Sequence, residues 1–321
     1  MRAPEFWRRR GVTSALLWPV GQIAYAVARL RAQRIKPAKL GIPVICIGNV
    51  TAGGSGKTPT AIAVAQMLRD AGKRPHFLLR GYGGRERGPL RVEPGKHDHL
   101  AVGDEALVLA RRGPTWISRD RAAGARAAEA AGADVIVMDD GFQNPSIAKD
   151  FSILVFDGGF GVGNNRLIPG GPLREPLAAG LARADAVLVI GDDTSGIVDA
   201  IGNRKILRAR FVPGVETQQL IGRSVVAFAG IGRPEKFFET LVHLGAKLVE
   251  AVPFADHHDY SPDEIMFVLE MAAERNAVAV TTEKDFMRLN ADMQAMVEVA
   301  PVRLEFEDPT ALEAALLKLF K

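Results

Sequence analysis

The residues with the clearest chemistry lie between positions 51 and 59. Thr51, Ala52, Gly53, Gly54, Ser55, Gly56, Lys57, Thr58 and Pro59 form a glycine-rich loop that ends in a cation and a hydroxyl. Glycines at this density let backbone N–H groups close around phosphate oxygens. Lys57 supplies a charge for the β- and γ-phosphates, and the Thr58 hydroxyl can join the shell of a Mg2+ ion. The pattern G-x-x-x-x-G-K-[ST] asks for glycine at 51, where this chain has Thr51. The surroundings compensate. Residues 43–50 are an apolar, β-branched run that predicts a buried strand, and residues 61–69 carry helical apolar spacing. A strand, a glycine loop and a helix in that order predict nucleotide binding. The guanine-reading motif N-K-x-D is missing from the sequence, which favours ATP.

Acidic and basic residues elsewhere could complete such a site. Residues 134–138 predict a second buried strand that ends in Asp139, Asp140 and Gly141. A carboxylate at the carboxyl end of a strand beside the loop is placed to hold Mg2+. Arg80, Gly81, Tyr82, Gly83 and Gly84 follow another strand-like run and suit contact with a phosphate or a sugar. The loop 157–176 is long and rich in glycine and proline, a type that tends to be functional. It carries Asn164, Arg174 and Glu175, the last two being candidates for phosphate or metal contact. Asp104 opens a helical stretch, where an acid most often serves as a cap. Asp256, His257, His258 and Asp259 form a polar cluster ahead of a helix start at Ser261 and Pro262. Adjacent histidines chelate one ion poorly, so the cluster predicts proton chemistry rather than metal binding.

These residues need a scaffold. Strands are predicted near 44–48, 75–79, 115–117, 134–138, 151–156 and 186–190, separated by helical stretches. That alternation predicts an α/β fold with a mostly parallel sheet and helices on both faces. The pattern restarts after Pro213, with strands near 225–229, 247–252, 277–281 and 302–306. The expected division is an N-terminal segment 1–40, a core domain 41–218 and a smaller α/β domain 219–321. His257 then falls in the second domain and the glycine loop in the first, so the site is expected between them.

The charge is unevenly distributed. The first forty residues hold nine Lys/Arg and one acid, a net charge of +8, whereas the remainder sums to −4. A nucleic-acid binder would spread its basic residues over a face, so no nucleic-acid partner is expected. No obligate protein partner is evident. Residues 11–28 carry no charge, but Pro19 and Gln22 interrupt them, and they fall short of the ~20 apolar residues that cross a bilayer. With Trp7, Trp18 and Tyr25, the segment reads best as a helix lying in the interface of an anionic membrane. A short span, a signal peptide and a helix packed on the core are the competing readings. The single cysteine, Cys46, excludes an internal disulfide framework.

Together, and in this order, several motifs resemble the tetraacyldisaccharide 4′-kinase family. They are the loop 51–59, Arg80–Gly83, Gly103–Glu105, Asp139–Gln143, the stretch 164–176, Asp256-His257 and Thr282–Asp285. The resemblance implies transfer of the γ-phosphate of ATP, with Mg2+, to the 4′-hydroxyl of a lipid-linked disaccharide phosphate in lipid A synthesis. It implies that Asp104 is the catalytic base, assisted by His257 and with Lys57 at the phosphates. It implies Thr58, Asp139, Asp140 and Glu175 around the metal, and Arg80, Tyr82, Gln143, Asn164 and Arg174 at the substrate. It also implies peripheral attachment to the cytoplasmic face of the inner membrane. The chain departs from the family pattern at Leu79, where Ser or Thr is usual, at Asn144 for His, and at Asn165 for Gly. Asn tolerates a left-handed backbone, so the last change is mild. Asn144 removes a titratable group, which argues against proton transfer at that position. Two other readings compete. One is a membrane-associated ATPase of the partition type, which would usually carry Lys where this chain has Ala52. The other is a soluble kinase for a small metabolite.

Overall fold

The computed structural model describes residues 4–320, so Arg2 of the basic segment lies outside the described residues. In chain order the elements begin with α1 (Val12–Gln33), β1 (Val44–Gly48), α2 (Lys57–Asp70), β2 (Pro75–Leu79), β3 (Leu90–Val92), α3 (His99–Val102) and α4 (Asp104–Ala110). Next come β4 (Thr115–Ile117), α5 (Arg121–Ala130), β5 (Val135–Asp139), β6 (Phe151–Asp157), α6 (Leu177–Leu181), β7 (Ala186–Ile190), α7 (Ile197–Ile201) and β8 (Ile206–Pro213). The last group is β9 (Ser224–Ala229), α8 (Pro234–Leu244), β10 (Lys247–Pro253), α9 (Pro262–Glu274), β11 (Val278–Thr281), α10 (Glu283–Phe286), α11 (Ala291–Gln294), β12 (Glu298–Val299), β13 (Val302–Phe306) and α12 (Thr310–Leu317).

Nine strands form one sheet in the order β13-β8-β7-β6-β1-β5-β2-β4-β3. Only β3 and β13 run antiparallel to their neighbours. The central strands β1 and β5 are buried along their whole length, as expected of strands covered on both faces. On one face, Ala61, Val64 and Leu68 of α2 pack with Leu107 of α4 and Leu316 of α12. On the other, Ala125 of α5, Leu181 of α6 and Ile201 of α7 cover the same strands. Cys46 lies inside this layer, where burial pushes its thiol up to about 12 and leaves it an inert core residue.

Strand β1 sits between β5 and β6. From β1 the sheet extends through β5, β2, β4 and β3 on one side, and through β6, β7, β8 and β13 on the other, and the chain fills the first side before it crosses to β6. Such a switch point opens a crevice at the carboxyl ends of the strands, and the glycine loop leaves β1 there.

The second sheet, β10-β9-β11-β12, is all parallel. Phe237, Phe238 and Leu241 of α8 cover one face, and Ile265 and Val268 of α9 cover the other. The expected boundary of 219–321 needs correction at its far end. Strand β13 crosses back and pairs with β8, Val302 opposite Pro213 and Phe306 opposite Ala209. Leu312 and Leu316 then bury in the core of the large sheet. The smaller unit is therefore an insertion between two antiparallel strands of the larger one. The alternating Val302-Arg303-Leu304-Glu305-Phe306 pattern is an edge strand's pattern, and sequence alone does not say which sheet's edge it joins.

Candidate active site

The glycine loop leaves β1 through Asn49, which is fully buried and ties the loop's two ends together. Its Nδ2 donates to Thr51 Oγ1 at 3.2 Å and to Ser55 Oγ at 2.9 Å. Thr51 stands where a glycine was expected because the backbone there is bridged to Leu173, antiparallel. Ala52 N also donates to Pro172 O. A β-branched residue suits that extended geometry. Gly56 does need its freedom, having φ of 87° and a position where a Cβ would fall 2.5 Å from Ile190 Cδ1. Among the described residues, no protein acceptor takes the N–H groups of Gly53, Gly54, Ser55, Gly56 or Lys57. A row of unsatisfied donors at the start of α2 is the cradle a polyphosphate fits.

The two strand-end aspartates differ in surroundings. Asp139 is buried, and its Oδ2 accepts from Thr58 Oγ1 at 2.7 Å. Its Oδ1 is also buried and has no hydrogen-bond partner. Burial, followed by the charge of Glu105, pushes its carboxyl up to about 7 against the pull of Thr58 and Lys57. A buried carboxylate with an unpartnered oxygen, near a second carboxylate and bonded to a hydroxyl, fits a divalent cation. Asp140 lies beside cations: Arg174 Nη1 is 2.9 Å away and Lys57 Nζ 4.0 Å. Burial raises its carboxyl, but Lys57 and Arg174 outweigh this and hold it below the usual range. Asp140 also takes a left-handed backbone with φ of 54°, a strained choice for a non-glycine residue at a functional position.

Of the other expected metal and substrate residues, three prove to be braces. Both oxygens of Glu175 are occupied, one by Gln143 Nε2 at 2.9 Å and the other by Arg183. Gln143 Nε2 also donates to Asn49 O at 2.7 Å, so this side chain ties Glu175 to the root of the glycine loop. Asn164 is buried and turned inward. Its Nδ2 donates to Phe6 O and Gly170 O, and its Oδ1 accepts from Arg166 N. Every polar atom of the side chain is thus engaged in holding the N-terminal segment to the 164–173 loop. Asn164→Ala should therefore cost about 1–3 kcal/mol in unfolding free energy, the scale of a buried amide leaving its partners unsatisfied. Urea denaturation would read this, and the KM for ATP should stay within a factor of two.

Asp104 and His257 meet across the cleft between the two units. His257 Nδ1 donates to Asp104 Oδ2 at 3.1 Å, since a carboxylate can only accept. Lys284 Nζ lies 3.4 Å from Nε2, which assigns that nitrogen as the acceptor and the imidazole as neutral. His257 is held at φ of 59°, and its own N–H bonds to Gly230 O. Tyr82 lies edge-on to the imidazole, with ring centres 5.8 Å apart. The Arg80–Gly83 loop thus borders this pair, with Arg80 and Tyr82 exposed.

Local pattern reads Asp104 as a helix cap and the family resemblance makes it the base, but neither gives a role to Arg288. The structure joins them. Arg288 is buried and donates through Nε to Asp104 Oδ2 at 2.8 Å, and through Nη2 to the same oxygen. Its Nη1 donates to Gly230 O and to Asp285 Oδ1. Burial raises the Asp104 carboxyl, but the hydrogen bond from His257 and the charges of Lys284 and Arg288 prevail and hold it well below the usual carboxylate range. The one available signal was spacing: Asp285 and Arg288 are three apart, on one side of a helical turn. Two further residues gain roles. Glu105, beside Asp104, bears on Asp139 and pairs with Lys284 at 3.2 Å. Arg121 is buried at the start of α5 with an unpartnered Nε, and burial lowers its guanidinium to about 10 beside the like charge of Arg80.

A phosphate cradle, a buried metal-ready carboxylate and a His–Asp pair on one cleft can carry phosphoryl transfer to a hydroxyl. Comparison with known proteins agrees. The family model described as tetraacyldisaccharide-1-P 4′-kinase matches residues 13–321. The chain belongs to this kinase family. A tetraacyldisaccharide 4′-kinase of Rhodospirillum rubrum is 52% identical over 99% of this chain and 98% of that protein. The Paramagnetospirillum magneticum kinase is 51% identical, with 97% of each chain covered. A crystal structure of LpxK from Aquifex aeolicus in complex with ATP superposes with a TM-score of 0.78. It is 28% identical and covers 97% of this chain and 100% of that one. Family membership carries the α/β fold, the ATP-dependent kinase activity and the place in lipid A biosynthesis expected from the motifs.

Proposed function

We propose that the cleft transfers the γ-phosphate of MgATP to the 4′-hydroxyl of a tetraacyldisaccharide 1-phosphate held at a membrane surface. The observation that carries this is the meeting of Asp104 and His257, 153 positions apart, next to Glu105, whose charge bears on the Asp139 carboxyl that Thr58 bonds. The N–H groups of residues 53–57 and the Lys57 ammonium hold the polyphosphate. Thr58 and Asp139 would hold Mg2+, with the charge of Glu105 close by. Bound there, the ion neutralises charge on the phosphates. Only one or two protein carboxylates are needed, because Mg2+ keeps waters and phosphate oxygens as its other ligands. That accords with the finding that, among the described residues, no group of three or more His, Cys, Asp or Glu could hold a metal.

The acceptor's 4′-oxygen forms the new bond to phosphorus as the bond to the β–γ bridging oxygen breaks. The hydroxyl proton passes to the His257–Asp104 pair, and ADP leaves. Arg288 and the Glu105 N–H, 2.7 Å from Asp104 Oδ1, fix the carboxylate while the proton moves. Arg80, Arg121 and Arg174 give the acceptor side its positive field, and Asp140 sets the position of Arg174 and Lys57. ATP consumption is expected to require the lipid acceptor. Rapid acceptor-independent hydrolysis with a nucleotide-driven dimer would instead favour the partition-type ATPase.

Attachment to the membrane is read from α1. Among the described residues, no helix is long and apolar enough to cross a bilayer. The helix turns its small residues inward: Ser14 and Gly21 are buried, and a Cβ on Gly21 would sit 3.0 Å from Leu167 and Ile168. Its large apolar residues face outward, Val12 at 78%, Leu16 at 74%, Ile23 at 66% and Leu30 at 59% exposed. Such a face, flanked by arginines, suits burial among lipid headgroups of an anionic inner leaflet. A Leu16→Glu/Ile23→Glu variant should lose at least tenfold in binding to anionic vesicles by flotation, with its melting temperature unchanged. Wild-type-like flotation would remove α1 as the anchor.

A further inference from the structure

Arg233 opens α8 in the smaller unit, and its guanidinium reaches across the cleft to the glycine loop. Its Nη2 donates to the carbonyl oxygen of Gly54 at 3.2 Å. The same guanidinium pairs with Asp157, at the end of β6, with Nη2 2.6 Å from Oδ2 and Nη1 3.2 Å from Oδ1. Lys236, one turn along α8, joins Asp157 at 2.7 Å. Asp157 is itself fixed, accepting from the N–H groups of Gly159 and Phe160. The guanidinium also lies over the Phe160 ring, 5.7 Å from its centre. Arg233 is therefore held on two sides before it touches the loop.

The contact has a geometric consequence. In a trans peptide the carbonyl and the following N–H point in opposite directions. A donor that grips the Gly54 carbonyl from outside the loop turns the Ser55 N–H to the opposite side. Ser55 is held from its other end too, since its Oγ accepts from the buried Asn49. Among the described residues, no protein group accepts the Ser55 N–H. We propose that Arg233 is a positioning residue by which the smaller unit locks the Gly54–Ser55 peptide with its N–H turned into the phosphate cradle. The ligand served is the polyphosphate of the nucleotide, and Arg233 acts on it through the peptide. This rests on the nucleotide reading of the loop.

The experiment is equilibrium titration of MgATP by calorimetry into wild type, Arg233→Ala, Arg233→Lys and Lys236→Ala, with melting curves and steady-state kinetics on each. Arg233→Ala should weaken MgATP about tenfold, the scale of one lost, pre-oriented hydrogen bond. Its KM for ATP should rise in proportion, and kcat at saturating ATP should stay within threefold. Lys236→Ala shares the Asp157 pair but leaves the Gly54 contact intact, so its affinity should stay within twofold. Arg233→Lys keeps the charge and one donor direction and should recover part of the loss. Unchanged affinity in a folded Arg233→Ala overturns the proposal. So does an equal loss in Lys236→Ala, which would assign the effect to the ion pair with Asp157. Wild type that fails to bind MgATP would sink the kinase reading instead, so the two failures are distinguishable.

Discussion

Asp104→Asn should lower kcat by about 10²–10⁴-fold, the range of a removed general base, while MgATP affinity stays within threefold of wild type. The substitution keeps the volume and an acceptor oxygen for Arg288, but it abolishes the negative charge that the His257 imidazole needs as it takes up a proton. Asp104→Ala is a poorer probe. It would leave Arg288, buried and paired to this oxygen, without its partner, and breaking such a pair costs about 3–5 kcal/mol. The charge also has a stability signature. The folded carboxyl titrates well below its unfolded value, so its contribution is present above the unfolded pKa and is lost as pH falls through the folded one. Wild type should therefore lose stability on the acid side, below about pH 4, more steeply than Asp104→Asn. Equal acid titrations, or a kcat within threefold, would take Asp104 out of the chemistry.

Asp139→Asn should move activity and stability in opposite directions. Activity should fall at least a hundredfold, because the buried oxygen that faces Thr58 no longer carries the charge a Mg2+ ion requires. The nucleotide-free fold should gain. Folded Asp139 keeps its proton up to about pH 7, whereas an unfolded aspartate loses it near 4. Between those values the folded state binds the extra proton, so wild type loses stability as pH rises from about 4 to 7, and above 7 the penalty is complete. Asn removes that penalty. Its melting temperature at pH 8 should exceed that of wild type by a few degrees, given about 2–4 °C for each kcal/mol in a domain of this size. The gain should shrink as pH falls through this window and vanish below about pH 4. A variant that melts lower than wild type at pH 8 would mean that Asp139 is stabilised as a carboxylate by something other than a metal.

What the sequence made readable, and what it hid, follows from the range of the interactions. The glycine loop, its strand and its helix are contiguous, and local periodicity locates all three. The strand-end position of Asp139 follows from the same periodicity. Asp104 is different: its partner His257 lies 153 positions away and Arg288 lies 184 away, so local pattern reads it as a cap, and only the resemblance to a family assigns it chemistry. The roles of Gln143, Asn164 and Glu175 were hidden for a related reason. Polar residues in a glycine-rich loop look alike whether they face a ligand or brace the loop, and the difference is whether their atoms are already bonded. The return of β13 to the first sheet is a matter of strand pairing, and an alternating pentapeptide does not specify its neighbour.

The most direct test of the account is where the phosphate goes. Detergent-solubilised protein is incubated with MgATP and a tetraacyldisaccharide 1-phosphate, and the product is examined by phosphorus–proton correlation NMR. A single new phosphate monoester coupled to the proton at the 4′ carbon is the expected result. A phosphate at any other hydroxyl, or ADP and free phosphate with the lipid unchanged, would contradict the proposed placement of the His257–Asp104 pair against the nucleotide.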